Sequence, residues 1–331
     1  MTILVTGAAG FIGSATAKHL LGRGETVVGI DNLNAYYDPA LKHARLDWIG
    51  DHPDFTFEKL DFSDRAAVED LKQRYRFSSI VHLGAQAGVR NSILKPHDYA
   101  DANLVGHLNM LELARAHEPA HFVYASSSSV YGGNEKMPFS VDDRVDHPVS
   151  LYAASKRANE LMSESYAHLY RVPMTGLRFF TVYGPWGRPD MAMWLFTEAL
   201  FRGQPIKLFN HGKMRRDFTY VDDIVSGIIG CLDHPPADDG SAKQGGSRAP
   251  HAIYNIGNNN PEEIGTLVDI LEDATGRKAQ IEMADMQPGD VPATYADIDP
   301  LKAAIGFSPT TSLDTGARNF VRWYADYHDI A

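Results

Sequence analysis

The chain has 331 residues, 31 Lys+Arg against 42 Asp+Glu for a formal charge of −11, and one cysteine, Cys231. That length suits one large α/β domain or a main domain with a smaller companion; a lone cysteine excludes an internal disulfide and a cysteine-rich metal cluster, so a reducing, cytoplasmic setting is expected. The acidic balance argues against nucleic acid as a partner, and no basic leader or run of roughly 18 apolar residues points to export or to a membrane.

In chain order, runs rich in β-branched residues at 3–6, 26–30, 55–60, 79–83 and 121–125 predict buried parallel strands. Helical patterns alternate with them over Phe11 to Gly22, Pro39 to Ile49, Ala66 to Tyr75, Pro96 to His117 and Leu151 to Tyr170, and VPMTGLRFF at 172–180 adds a strand. The order predicts an α/β fold, a doubly wound parallel (Rossmann) sheet over residues 1–180. Over 181–331 the rhythm loosens, which predicts a smaller α/β C-terminal substrate domain, with some interchange of strands and helices between the two. The Gly-, Pro- and Ser-rich stretch 234–251 reads as a solvated loop.

Between the first strand and helix, T-G-A-A-G-F-I-G places Gly7, Gly10 and Gly13, with Phe11 and Ile12 opening the helix, where a pyrophosphate would meet helix N–H groups. Asp31 ends the next strand with Asn32 beside it; an acid there favours a ribose diol, hence NAD over NADP, although it also serves as a loop cap. Asp61 and Phe62 end the third strand, and Leu83 and Ala85 the fourth, so all face one crevice. In S-L-Y-A-A-S-K, Tyr152 and Lys156 share a helix face, and an ammonium beside a phenol favours phenolate, a base for a hydroxyl proton. The same spacing also occurs as a solvated pair, and the serine run 126–129 as a simple turn; their common place at strand ends in a nucleotide-binding sheet favours ligand contact. Nothing in the spacing of the 14 His residues leads us to expect a metal, and His82 reads as a core residue.

These parts resemble the extended short-chain dehydrogenase/reductase superfamily, across nearly the whole chain. The strings 29–38, 83–90, 146–156, 178–192 and 212–224 are similar to those of its UDP-glucuronate 4-epimerases. The resemblance implies a tightly bound NAD recycled at each turnover, Tyr152 as base, Lys156 as anchor of the nicotinamide ribose, and Ser127 at the reacting hydroxyl. It implies substrate contacts for Arg90, Ser127, Ser128, Ser129, Thr181, Arg188, Arg216 and Asp290, and a homodimer joined by a four-helix bundle. The superfamily's sugar dehydratases carry Asp-Glu where this chain has Ser128 and Ser129, so dehydration lacks its acid and base. The implied reaction is epimerisation at C4′ of a UDP-sugar, UDP-glucuronate to UDP-galacturonate, through a 4-keto sugar that turns over in the pocket without decarboxylation. Open alternatives are a UDP-glucuronate decarboxylase, another UDP-hexose 4-epimerase and a non-catalytic NAD-binding regulator.

Overall fold

The computed structural model describes every residue except Pro288 and Ala331. Seven parallel strands, β1 (Thr2–Thr6), β2 (Thr26–Asp31), β3 (Phe55–Lys59), β4 (Ser79–His82), β5 (His121–Ser127), β6 (Met174–Phe179) and, from far downstream, His251–Ile256, form the central sheet. Its order is β3-β2-β1-β4-β5-β6 with His251–Ile256 at the far edge, so the strand order reverses between β1 and β4. A crevice opens there beyond the carboxyl ends, where such sheets take ligands.

Alternation along the strands builds two apolar layers. Leu4, Ile80, Phe122 and Met174 face one side with the helices α3 (Arg65–Arg74), α6 (His107–His117) and α7 (Leu151–Tyr170). Ile3, Val5, Val81, Val123 and Leu177 face the other, against α1 (Phe11–Gly22) and a later helix, α9 (Val221–Asp233). Helix α2 (Pro39–Ile49) starts on an Asp38 cap and packs beside α1. Two short helices, α4 (Val89–Leu94) and α5 (Pro96–Tyr99), precede α6.

The expected helix from Pro96 to His117 forms, but its middle, Ala100–Gly106, widens to π-helical register. Such insertions frequently mark functional sites. The loop before His251 is tied down: Arg171 pairs with Asp238, and Ser247 Oγ donates to Glu164 at 2.9 Å.

The smaller lobe carries β7 (Thr181–Tyr183), helix α8 (Ala192–Arg202), β8 (Pro205–Leu208) and β9 (Arg215–Tyr220). Beyond α9, the sheet strand His251–Ile256 is β10 and is followed by β11 (Pro261–Glu263), α10 (Ile264–Thr275), β12 (Gln280–Met283), α11 (Asp299–Ile305) and α12 (Leu313–Tyr327). Strands β7, β9 and β11 make one small sheet, and β8 with β12 another. A cluster of Trp186, Trp194, Phe320, Trp323 and Tyr324 packs α12 and α8 under the loop that follows β7. Strand β10 thus belongs to the large sheet, and helix α9 packs on it beside α1, although both lie beyond residue 180.

Candidate active site

The glycine-rich turn is closed by its own backbone. Gly10 N donates to Gly7 O at 2.8 Å, and Gly7 holds φ +70°. A Cβ on Gly13 would stand 2.0 Å from Gly7 O, and one on Gly7 would stand 2.9 Å from Gly84 Cα, so the turn nests against both α1 and the end of β4. No side chain caps α1, leaving the first-turn amides, at Phe11, Ile12 and Gly13, to an anion. The cradle fits a dinucleotide pyrophosphate.

Asp31 is buried at the end of β2, and its Oδ1 accepts Leu33 N at 2.8 Å and faces Lys42 Nζ at 3.5 Å. It therefore caps its loop as well as facing the crevice. Asn32 donates to Asp61 at 2.9 Å, and Asp61 also accepts the Ser63 hydroxyl at 2.7 Å. Phe62 is buried against Gly84 and Gly106, and Leu83 and Ala85 flank Gly84 just beyond β4. Thr6 links the neighbouring strand ends, bonding His82 Nδ1 at 2.7 Å and accepting Gly84 N at 2.9 Å. Burial pushes His82 down to about 3, the neutral core histidine expected from sequence.

Catalytic geometry begins with a cap: Ser150 accepts Ala153 N at 3.1 Å and starts α7 so that Tyr152 lies in its first turn. One turn on, Lys156 Nζ donates to Ala125 O at 3.0 Å. Burial pulls its ammonium down to about 8, opposed by the Glu160 carboxylate. Burial raises the Tyr152 phenol, while Ser127 and Arg188 oppose the rise and Asp190 adds to it. Ser127, Arg188 and Asp190 thus lie close enough to the Tyr152 phenol to act on its charge, and Lys156 follows one turn along α7. Ser127 Oγ accepts Ser129 N and donates to Ser129 Oγ, each at 3.2 Å. Ser128 opens the 3-10 turn that follows β5, and Thr181 opens β7; neither hydroxyl bonds another group among the described residues.

Arg188 is held by Asp190, which accepts Nε at 3.0 Å and Nη2 at 2.5 Å, and Tyr36 OH donates to the same carboxylate at 3.0 Å. A second cluster gathers Arg90, Arg216 and Asp290. Arg216 donates to Asp290 at 2.7 Å, Arg90 stands 4.0 Å from it, and Arg90 lies 4.9 Å over the Phe209 ring. Sequence reasoning missed Asp190, Tyr36, Phe209 and Lys42, although the strings at 178–192 and 29–38 contain the first two of them. It also missed Asn103, whose mid-helix position carries no sequence signal.

Among the described residues no group of three or more His, Cys, Asp or Glu side chains is placed to hold a metal, and no helix is long and apolar enough to cross a membrane. His117 and His121, four apart, diverge: the first faces Lys72 O and the second Thr175 Oγ1.

Residues 3–257 match the model of the NAD dependent epimerase/dehydratase family. The chain is 48% identical over 330 residues to a probable UDP-glucuronate 4-epimerase of Rhizobium meliloti (strain 1021), covering 98% of this chain and 97% of that one. It is 46% identical to UDP-glucuronate 4-epimerase 1 of Arabidopsis thaliana, covering 99% of this chain and 77% of that protein. The fold is similar, with a TM-score of 0.89 at 30% identity and 99% and 100% coverage, to that of UDP-glucuronic acid 4-epimerase from Bacillus cereus crystallised with UDP-glucuronic acid and NAD.

Proposed function

The chain belongs to the NAD dependent epimerase/dehydratase family, and from that premise we infer that it inverts C4′ of UDP-glucuronate to give UDP-galacturonate. The observation that carries this reading is the placement of Tyr152 and buried Lys156 one turn apart at the start of α7, with Ser127 and Arg188 acting on the phenol, in a sheet whose glycine-rich turn suits a pyrophosphate. NAD bound at that turn supplies the acceptor, and then the donor, of the C4′ hydride.

Tyr152 takes the O4′ proton and later returns it, and Ser127 orients the reacting hydroxyl. Lys156 would hold the cofactor ribose, while the cation that favours the phenolate in this structure is Arg188 and not the lysine expected from sequence. The 4-keto sugar must turn within the pocket, so affinity resides in the nucleotide, for which Arg90, Arg216 and Asp290 form the outer clamp. Ser128, Ser129 and Thr181 offer the carboxylate neutral donors that hold it near the ketone plane, away from the alignment that breaks C5′–C6′. Residues 1–180 are the NAD-binding unit and 181–331 the UDP-sugar unit, apart from the interchange of α9 and β10. Exposed Leu108, Leu161 and Leu169 on α6 and α7 suit a second copy in a four-helix bundle, to be checked by light scattering. A cytoplasmic setting agrees with the free, buried Cys231.

The direct test replaces the base. Purified wild-type protein converts UDP-glucuronate, and Tyr152→Phe, with its NAD retained, loses on the order of 10³-fold in rate. Conversion at the wild-type rate by Tyr152→Phe would overturn the assignment.

A further inference from the structure

Arg45 lies on α2, has no role assigned above, and is 0% exposed. Its donors reach three separate segments. Nε and Nη2 donate to Trp186 O at 3.1 and 2.7 Å, Nη2 also to Gly187 O at 3.0 Å, and Nη1 to Ala9 O at 3.2 Å and Tyr37 OH at 2.5 Å. All five N–H groups of the guanidinium are thereby used. No carboxylate pairs with it among the described residues, so this buried cation binds backbone carbonyls and one phenol.

The segments it joins are functional ones. Ala9 belongs to the glycine-rich turn, and Trp186 and Gly187 directly precede Arg188. Trp186 holds φ +64°, a left-handed conformation that a bulky side chain rarely adopts and that the surroundings must enforce. Two of the five bonds grip that residue's carbonyl.

We propose that Arg45 is a positioning residue for the sugar nucleotide: it fixes the loop carrying Arg188 against the glycine-rich turn, and so sets where Arg188 meets substrate. The inference rests on the proposed reading of Arg188 as a substrate contact. Lysine cannot replace Arg45, because one ammonium has three donors and no planar fork to span three segments.

The test is a double-mutant cycle on the holoenzyme, with UDP-glucuronate as substrate. Wild-type turnover is measured first and tests the proposed activity by itself. Arg45→Lys is expected to raise KM at least tenfold while one NAD per subunit is retained. In an Arg188→Ala background the same change is expected to raise KM less than twofold, because the residue through which it acts is gone. Should Arg45→Lys fail to fold, Tyr37→Phe removes one acceptor; it is expected to raise KM about threefold, again only when Arg188 is present. Independent, multiplicative effects in the cycle would overturn the inference, as would an unchanged KM in the folded variants. An Arg188→Ala enzyme with wild-type KM would also overturn it while leaving the activity intact.

Discussion

Glu160 lies one helical turn beyond Lys156 on α7, and its Oε1 accepts Ser126 Oγ at 2.6 Å, so the carboxylate nearest the buried lysine is bonded to the residue beside Ser127. Arg178 closes the arrangement by donating to both Glu160 oxygens, at 2.8 and 3.0 Å. One buried carboxylate thereby ties α7 to the ends of β5 and β6, the scaffold on which the pocket is built.

Glu160→Gln is expected to destabilise the protein by about 3–5 kcal/mol, because it strands a buried guanidinium. Burial opposes ionisation of Glu160, yet Arg178 outweighs it and keeps the carboxyl below its ordinary value. The stability this pair contributes is therefore present above the ordinary glutamate range and lost on acidification. Denaturant unfolding at pH 7 and pH 4 checks this: the gap between wild type and variant shrinks at the lower pH.

Lys156 also makes stability rise with pH, but as a burial cost that is relieved on the alkaline side. Its folded-state value of about 8 lies below the ordinary 10.5, so the cost of burying the ammonium is full below pH 8 and fades as pH rises towards 10.5. Cofactor-free Lys156→Met is expected to be the more stable protein at pH 7, by at most about 3 kcal/mol, while its turnover collapses. Melting curves from pH 7 to 10 should show the advantage narrowing; a variant that melts below wild type at every pH would contradict it.

Asn103, in the π-helical segment, accepts Gln86 N at 2.8 Å and donates to Gln86 O at 3.0 Å and to Ser155 Oγ at 2.9 Å. It joins the loop after β4, on the cofactor side, to the helix bearing Tyr152. Asn103→Ala leaves buried backbone groups unpaired and is expected to cost about 2–3 kcal/mol in thermal or chemical unfolding. Steady-state kinetics should show kcat falling about tenfold with little change in KM, since position and not binding is lost.

Much of this is legible in the sequence, because local chemistry carries it. Gly7, Gly10 and Gly13 sit where a Cβ collides, the run 126–129 ends a buried strand, and Tyr152 and Lys156 follow a serine cap. What remained hidden depends on contacts between distant segments. Nothing around Arg45 says that it reaches Trp186, and nothing around β10 says that it will pair with β6 rather than join the smaller lobe. Arg216 and Asp290 read as two separate contacts, but the fold makes them one ion pair. The π-helical register at 100–106 leaves the apolar spacing of an ordinary helix almost intact.

If Ser128 and Thr181 hold the uronate carboxylate near the ketone plane, Ser128→Ala and Thr181→Ala should release UDP-pentose alongside the epimer. Product ratios by anion-exchange chromatography decide this, and wild-type ratios in both variants would remove the carboxylate clamp from the account.

The most direct measurement of the central claim is an NMR time course of UDP-glucuronate with the purified protein and no added NAD. UDP-galacturonate is expected to accumulate to an equilibrium mixture, with no UDP-pentose. A UDP-pentose as the main product, or no conversion even after NAD is supplied, would contradict it.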